Sequence, residues 1–415
     1  MKRHDAVYVP RIVRGEGVWL YGDDGRRYLD AISSWWVNLF GHCHPRINAA
    51  VHAQLDKLEH VLLAGVTHEP AIYLSERLSR LAPTGLGHCF YASDGACAVE
   101  IALKMSTHFW RNTGRPEKNE FVSLQNGYHG ETLGALSVTD VSLFKESYAP
   151  LLRPSHHVIS PDWRNRAEGE SPEDFSLRCA QILDDFLESH SRTIAAFIVE
   201  PLVQCAAGMA MYDAEYLRRA RAICSRHEVH LIADEIAVGF GRTGTLFACE
   251  HAETTPDFLC LSKGLSAGYL PLSAVLTTDE IYDAFYDDDV QRGFLHSHSY
   301  SGNPLACAAA LASLDIFEQD GILRANAVKA ARMNTRAKDL QAHSRVGNFR
   351  NLGMIWAFEV EDADQDFSSR FSQKALERGL LLRPLGSTVY FMPPYVINDD
   401  EIDYLVGNTL ELLGE

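Results

Sequence analysis

The chain has 415 residues, of which 46% are hydrophobic and 22% charged, so it is long enough to form two or three structural units with a large core. Its net charge of −17 argues against a nucleic-acid or anionic-membrane surface, because phosphate groups attract basic proteins. No uncharged stretch reaches the ~18 apolar residues of a membrane-spanning helix. The nine cysteines are scattered without a CxxC pair, which is typical of reduced thiols in a cytoplasmic protein.

Short apolar runs alternate with amphipathic helical stretches between about residues 88 and 280. This pattern predicts an α/β fold with a mostly parallel sheet flanked by helices. From about Leu305 the chain continues as a long Ala-rich helix and further strand and helix segments, which predict a second, smaller α+β unit. The predicted strands of the first unit are 88–92, 120–125, 194–199, 230–233 and 257–261, its helices are 96–111 and 213–227, and the later segments are 350–360, 381–384 and 389–392.

Two charged residues follow buried strands of the predicted sheet. Asp234 ends the strand at 230–233, and Lys263 follows the strand at 257–261. Asp234 alone is equally compatible with a helix cap or a surface ion pair. A lysine at the end of a buried strand is costly unless it is paired or used covalently, and burial can make it a nucleophile. A lysine that reacts with an aldehyde and an aspartate that pairs with a ring nitrogen are the minimal set for pyridoxal phosphate.

A phosphate site is predicted beside this pair. The segment 93–96 lies between a strand and a helix, so free N–H groups at the helix start can bind a dianion. An ordinary strand-to-helix turn has the same sequence pattern, and only the lysine and the aspartate make the set specific. Tyr128 follows the strand at 120–125, where its ring could stack on a cofactor.

Three other motifs have less specific interpretations. The segment 239–244 fits GxGxxG, but it does not directly follow a strand and no long helix follows it, so we expect a flexible loop that carries Arg242 near the site. His42, Cys43 and His44 do not converge as metal ligands would. The pair Trp35 and Trp36 by itself indicates core packing.

These residues resemble the class III aminotransferases among the fold type I pyridoxal-phosphate enzymes, and the similarity covers nearly the whole chain. Motifs typical of the family are DEIAVGFGRTG from Asp234, SKGLSAGYLPLSAV around Lys263, VEP at 199–201 and SGNPLACAAA from Ser301. Narrower motifs resemble the branch that transfers the amino group of S-adenosylmethionine to 8-amino-7-oxononanoate in biotin synthesis. They are DAISSWW, THEPA, NGYHGET, ACEHAE, LRPLG and FMPPY.

The resemblance implies a role for each matching residue. Lys263 would bind the cofactor covalently and later move a proton, Asp234 would pair with its pyridine nitrogen, and Tyr128 and Ile236 would cover its two faces. The phosphate would bind Gly95, Ala96 and, from the partner subunit of a homodimer, Ser299. Arg383 would grip the substrate carboxylate, a task suited to a guanidinium. The residues expected to contact the substrates are Trp35, Trp36, Tyr128, Glu131, Arg242, Lys263, Gly293 and Arg383.

The resemblance also implies a domain division, and the chain departs from the family pattern at three places. The large cofactor domain would span 46–304, and a small domain would combine 1–45 with 305–415. Ala96 stands where the family commonly has a phosphate-binding serine, and Glu131 stands where aspartate is common. A short stretch that usually precedes this start is absent, and we expect an incomplete N-terminus.

Several alternatives share part of this pattern. Another class III transaminase acting on an ω-amino acid or a diamine would have the same Lys263 and Asp234, but Trp35, Trp36 and Arg383 favour the biotin-pathway branch. Lysine replaces S-adenosylmethionine as the amino donor in some relatives. An aminomutase would need no separate donor, and a non-catalytic binding protein would not need an intact Lys263.

Overall fold

The computed structural model describes residues 8–414, in which helices cover both faces of a central sheet. The strands are β1 (Ile12–Glu16), β2 (Trp19–Gly22), β3 (Arg27–Asp30), β4 (His88–Ala92), β5 (Glu120–Leu124), β6 (His156–Val158), β7 (Ile194–Val199), β8 (Val203–Gln204), β9 (Ala210–Met211), β10 (His230–Asp234), β11 (Phe258–Leu261), β12 (Ser273–Thr277), β13 (Val346–Leu352), β14 (Ile355–Val360), β15 (Leu380–Leu381) and β16 (Thr388–Phe391).

The helices range from single turns to 19 residues. They are α1 (Ser33–Trp36), α2 (Pro45–Leu55), α3 (Glu69–Leu81), α4 (Gly95–Asn112), α5 (Leu133–Val138), α6 (Ser142–Lys145), α7 (Pro172–His190), α8 (Ala214–Arg226), α9 (Asp279–Asp283), α10 (Pro304–Asp320), α11 (Ile322–Arg336), α12 (Lys338–Gln341), α13 (Phe367–Glu377) and α14 (Asp399–Gly414).

The central sheet has seven strands in the order β4-β12-β11-β10-β7-β5-β6. Strand β12 is antiparallel to both neighbours and the other pairs are parallel, so the predicted mostly parallel α/β sheet is confirmed. The sequence prediction missed β12. All five of its residues are buried, but so are those of the predicted strands β7, β10 and β11, so burial does not explain why β12 was missed.

The predicted elements of the large unit are present with small shifts at their ends. Strands β4 and β7 have the predicted boundaries, and α4 is one residue longer at each end. Helix α8 begins after Asp213, whose carboxylate accepts a hydrogen bond of 2.9 Å from the Glu215 amide, as expected for a helix cap. The predicted segment 350–360 is part of a hairpin, β13–β14, that turns at Gly353 with φ +56°.

The two ends of the chain lie in one small sheet. Strand β3 pairs in parallel with β15, with Leu29 opposite Leu380, and the Trp19 indole donates a hydrogen bond of 2.8 Å to Glu401 of α14. This pairing supports a small domain built from both termini, whose boundaries at 1–45 and 305–415 stay a prediction. Among residues 8–414, no helix is long and apolar enough to cross a membrane.

Candidate active site

The carboxyl ends of five strands meet at one edge of the central sheet. Each strand delivers polar residues there, and together with the loop before β12 they line a cavity of about 780 Å³. Ligands of such sheets bind outside the carboxyl ends of the strands. The residues delivered are Ser93 and Asp94 after β4, Tyr128 and Glu131 after β5, Glu200 after β7, Asp234 at the end of β10, and Lys263 after β11.

Asp234 is buried and held by two hydrogen bonds. His129 Nδ1 lies 2.8 Å from Oδ2, and the Ile236 amide donates to Oδ1 at 3.1 Å. The histidine is fixed in turn, because its own amide donates to the Thr139 hydroxyl at 3.0 Å. The carboxylate therefore has a fixed orientation in the cavity, as an acceptor for a protonated ring nitrogen must have. The sequence analysis did not identify His129, which follows Tyr128 without a pattern of its own.

Lys263 is the first residue after β11 and Ser262, and it has a positive φ of 43°. Burial lowers the pKa of its amine, and the negative charge of Asp234 opposes that shift. Its Nζ lies 5.1 Å from the centroid of the Trp36 ring. A lysine with a depressed pKa is more often neutral and therefore nucleophilic, as the sequence prediction requires.

Glu200 supports the backbone beneath the Tyr128 ring, a role that the sequence analysis did not assign. Its carboxyl accepts hydrogen bonds of 3.0 Å from the amides of Tyr128 and Cys205. Burial raises the pKa of Glu200 to about 7. The Tyr128 hydroxyl donates to Glu131 at 2.9 Å, and its ring packs edge-on against Phe144 at 5.3 Å. Tyr128 is thus held at its backbone amide, at its hydroxyl and by the Phe144 ring.

The start of α4 forms the opposite end of the cavity. The Asp94 carboxylate caps the helix by accepting from the Cys97 amide at 3.0 Å, and Ser93, Gly95 and Ala96 line the cavity. A Cβ on Gly95 would lie 2.8 Å from the Ile236 side chain, so only glycine fits this close approach. The helix dipole and N–H groups here suit a phosphate.

Of the two adjacent tryptophans, Trp36 lines the cavity and Trp35 does not. Trp36 is 5% exposed, lines the cavity and donates from Nε1 to the Tyr390 hydroxyl at 3.1 Å, whereas Trp35 is 52% exposed. The Arg383 guanidinium carbon lies 4.0 Å from the centroid of the Trp35 ring. Core packing therefore accounts for the position of Trp36 only in part, because Trp36 also lines the cavity. It does not account for the exposed Trp35.

Arg242 lies away from the cavity, in contrast to the expected accessible loop. The segment 239–244 forms tight turns between β10 and β11 with no α-helix between them. Arg242 is 1% exposed, and its guanidinium donates to the carbonyls of Pro393 at 2.9 Å and Asn38 at 3.0 Å. The prediction that Arg242 contacts substrate is corrected accordingly, because its two terminal nitrogens donate to backbone carbonyls of Trp36, Asn38 and Pro393.

Two further predicted site residues also lie outside this cavity. Gly293 lines a separate cavity of about 600 Å³ beside α4, and Ser299 is exposed on the loop before α10. Within residues 8–414 of one chain, therefore, neither residue reaches the cavity that contains Lys263.

Comparison with known proteins identifies the family. A family model described as aminotransferase class-III matches residues 1–412. The chain belongs to the class III aminotransferases. An adenosylmethionine-8-amino-7-oxononanoate aminotransferase of Helicobacter pylori is 48% identical over 100% of this chain and 94% of its own, and one of Geobacter sulfurreducens is 42% identical over 95% and 90%.

Solved structures of an aminotransferase and an ω-transaminase share the fold. An adenosylmethionine-8-amino-7-oxononanoate aminotransferase of Methanocaldococcus jannaschii has a TM-score of 0.93 at 36% identity and covers 100% of this chain and 94% of its own. An ω-transaminase of Pseudomonas jessenii in complex with PMP has a TM-score of 0.94 at 30% identity, with the same coverage. The fold of this class III aminotransferase therefore does not distinguish between the two substrate classes.

As a class III aminotransferase, the chain is a transaminase that depends on pyridoxal phosphate, and the residues of the cavity fit this cofactor. A lysine with a lowered pKa, an oriented Asp234 and the capped start of α4 lie along one cavity. The absence of a side chain at Gly95 lets Ile236 pack against the first turn of the helix, whose free N–H groups suit a phosphate.

Proposed function

We propose that this enzyme transfers the amino group of S-adenosylmethionine to 8-amino-7-oxononanoate and so makes 7,8-diaminononanoate, a step of biotin synthesis. Both half-reactions use the same cavity in a ping-pong sequence, so donor and acceptor each occupy the space between Lys263 and Arg383. The names of the relatives from Helicobacter pylori and Geobacter sulfurreducens support these substrates.

The residues around Lys263 carry the chemistry. Bound pyridoxal phosphate supplies an electron sink for the carbon that gains or loses the amino group. Lys263 Nζ would move a proton from the donor carbon to the cofactor in one half-reaction and from the cofactor to the acceptor carbon in the other. Asp234, oriented by His129, holds the proton of the ring nitrogen, and the side chains of Tyr128 and Ile236 pack on the two ring faces.

The remaining predicted residues bind phosphate or substrate. The amides of Gly95 and Ala96 bind the phosphate, joined by Ser299 from a second copy of the chain. Glu131, at the Tyr128 hydroxyl, recognises a substrate amine. Gly293 is close to the substrate only if a second copy brings it there, since it lies outside the cavity of its own chain.

One observation carries the choice of acceptor: the Arg383 guanidinium lies on the face of Trp35, beside the aromatic wall of the cavity. No carboxylate among residues 8–414 pairs with this exposed guanidinium, so its donors are available to a ligand. A long apolar chain that ends in a carboxylate satisfies both the aromatic wall and the arginine, since guanidinium binds carboxylate in a bidentate manner. The acceptor 8-amino-7-oxononanoate has this shape.

A single-turnover assay tests the proposal. The holoenzyme is offered S-adenosylmethionine or lysine as donor, with 8-amino-7-oxononanoate as acceptor, and the diamine product is quantified by mass spectrometry. We expect product with S-adenosylmethionine and none with lysine. Product with lysine alone would correct the donor. Amino transfer only from an ω-amino acid or diamine to pyruvate or 2-oxoglutarate would instead support the alternative that resembles the Pseudomonas jessenii enzyme.

The proposal includes a cytoplasmic homodimer. Ser299 is exposed and Gly293 lines another cavity, so both can contribute to catalysis only across a subunit interface. Sedimentation velocity of the holoenzyme tests this, with a dimer expected. One inactive variant carries Lys263→Ala, and the other carries both Ser299→Ala and Gly293→Trp. Mixing the two variants should restore activity in mixed dimers. Absence of both dimer and restored activity would contradict a shared site.

A further inference from the structure

The turn that carries the tryptophan pair has an unusual backbone. All four residues of α1, Ser33, Ser34, Trp35 and Trp36, have positive φ values between 47° and 75°. Non-glycine residues rarely adopt this left-handed conformation, and a run of four persists only where surrounding contacts impose it. The contacts that impose it therefore determine where the two indole rings lie.

A buried carboxylate holds the start of the turn. Asp30 is fully buried, and its Oδ1 accepts from the Ser34 amide at 2.8 Å while its Oδ2 accepts from the Ser34 hydroxyl at 2.7 Å. His42 Nε2 lies 3.0 Å from the same Oδ2. The Asn38 side-chain amide lies 3.1 Å from His42 Nδ1, and the carboxylate of Asp30, which accepts hydrogen bonds, faces His42 Nε2.

Separate contacts hold the end of the turn. The Arg242 guanidinium donates to the Trp36 carbonyl at 3.4 Å and to the Asn38 carbonyl at 3.0 Å, and Trp36 Nε1 donates to Tyr390. Asp30 is the carboxylate among the groups that hold the turn. It binds Ser34, the residue before Trp35. It does not line the cavity.

The turn places one indole ring beside the reacting amine and the other beside the arginine. Trp36 lies beside Lys263, at 5.1 Å from Nζ to the ring centroid, and Trp35 lies beneath Arg383, at 4.0 Å. The two rings are adjacent in sequence, so one backbone conformation fixes both contacts together. A change in this conformation therefore alters both contacts.

We propose that Asp30 is a positioning residue for the site that binds the carboxylate of the acceptor. By holding Ser34 and His42 it keeps the left-handed turn, and the turn keeps Trp35 in contact with Arg383, which binds that carboxylate. The identity of the acceptor in this inference rests on the proposed function. The conformation of the turn rests on the structure alone.

The test uses Asp30→Asn, which keeps the size of the side chain. The new amide oxygen can still accept from the Ser34 amide, but the NH₂ group meets the Ser34 hydroxyl and the His42 N–H, which are both donors in the native turn. At saturating donor, we expect the KM for 8-amino-7-oxononanoate to rise about tenfold with kcat little changed, as when ground-state and transition-state binding are lost together. An unchanged KM would overturn the proposal.

A double-mutant cycle separates positioning from general destabilisation. If Asp30 acts through the contact between Trp35 and Arg383, Asp30→Asn should have little further effect on KM in an Arg383→Met background. If the two residues act independently, their effects on KM should multiply. Multiplying effects would therefore overturn the proposal. Asp24→Asn is the matched control, because this aspartate lies in the β2–β3 turn and bonds to Tyr8 and Arg26 outside the cavity.

A measurement on the turn itself does not depend on the substrate. Acrylamide quenching of tryptophan fluorescence in the holoenzyme should increase in Asp30→Asn, because Trp36 is 5% exposed in the native turn. Ser34→Ala, which removes only the hydroxyl contact, should give a smaller increase and serves if Asp30→Asn does not fold. Unchanged quenching in both variants would overturn the role of Asp30, whereas a wild-type enzyme that rejects 8-amino-7-oxononanoate would overturn only the proposed function.

Discussion

The cofactor end of the cavity and its substrate end are built in different ways. Asp234 and Lys263 lie at or just after the ends of buried strands, whose positions are fixed by the ladder of the central sheet. Trp35 and Arg383 lie on irregular backbone, and the turn of Trp35 is held by side-chain hydrogen bonds from nearby Asp30 and distant Arg242. The difference indicates that the cofactor chemistry depends on the sheet as a whole, whereas substrate choice depends on a few contacts around one turn.

The largest effect is expected from Lys263→Ala, at the cofactor end. Amino transfer in a single turnover should fall at least ~10³-fold, because the amine that attacks the cofactor and moves the proton is removed. Borohydride treatment of the wild-type holoenzyme should attach cofactor to a peptide that contains Lys263, as mass spectrometry would show. Cofactor attached elsewhere would contradict the assignment.

Lys118→Ala is the matched control for that experiment. Lys118 is also buried, and burial lowers the pKa of its amine to about 8, but it donates to the Ser191 carbonyl outside the cavity. The variant should retain amino transfer and cofactor attachment, so burial of a lysine alone does not account for the reaction.

Arg242→Met removes the guanidinium that binds the carbonyls beneath the tryptophan turn. This change should affect both the stability of the protein and substrate binding. The carbonyls of Pro393 and Asn38 lose their donor, and each buried carbonyl left unpaired costs about 1–3 kcal/mol. We expect the free energy of unfolding to fall by roughly 2–4 kcal/mol in urea titrations, together with a higher KM for the acceptor.

Arg350→Met provides the comparison. Arg350 is likewise buried and donates to the carbonyls of Met209 and Gly208, but it lies away from the turn. The Arg350→Met variant should lose a similar amount of stability, and its KM for the acceptor should be unchanged. An equal rise in KM in both variants would show that the acceptor site responds to any loss of stability, and the contrast between the two ends of the cavity would then fail.

Arg383→Met tests the substrate end directly. The KM for 8-amino-7-oxononanoate should rise roughly tenfold to a hundredfold, because a charge-assisted contact to its carboxylate is lost, while the first half-reaction keeps its absorbance change. Arg27→Met is a close control, since Arg27 stacks on Trp19 at 4.1 Å outside the cavity. A KM that rises less in Arg383→Met than in Arg27→Met would refute the carboxylate role.

The smallest effect is expected from Ala96→Ser, at the phosphate end. A hydroxyl beside the start of α4 adds one donor to a dianion, and the cofactor dissociation constant should fall a few-fold, roughly what one modest hydrogen bond contributes. Ala214→Ser, at the start of α8, makes the same change outside the cavity and should have no effect. An unchanged or larger dissociation constant in Ala96→Ser would count against phosphate binding at this helix.

The sequence determined most of the cofactor end. Alternating apolar runs predicted β4, β7 and β10 within about one residue, and the residues that follow them could be placed at one edge because parallel strands end together. His129 and Glu200 received no role from the sequence, because each acts through a partner far along the chain. The partner of His129 is Asp234, and Glu200 accepts from the amide of Tyr128.

The resemblance assigned Trp35, Trp36 and Arg383 to the substrates, but only the tertiary structure decided the backbone and the contacts of the substrate end. The doubled tryptophan by itself indicated core packing, and Arg242 was expected in a flexible loop. The structure places Trp35 and Trp36 on a left-handed turn and buries Arg242 beneath it, through contacts with Asn38 and Pro393. The positions of strands along the chain follow from local patterns of burial. The strained turn instead depends on hydrogen bonds from nearby Asp30 and from distant Arg242, and no pattern of burial records those contacts.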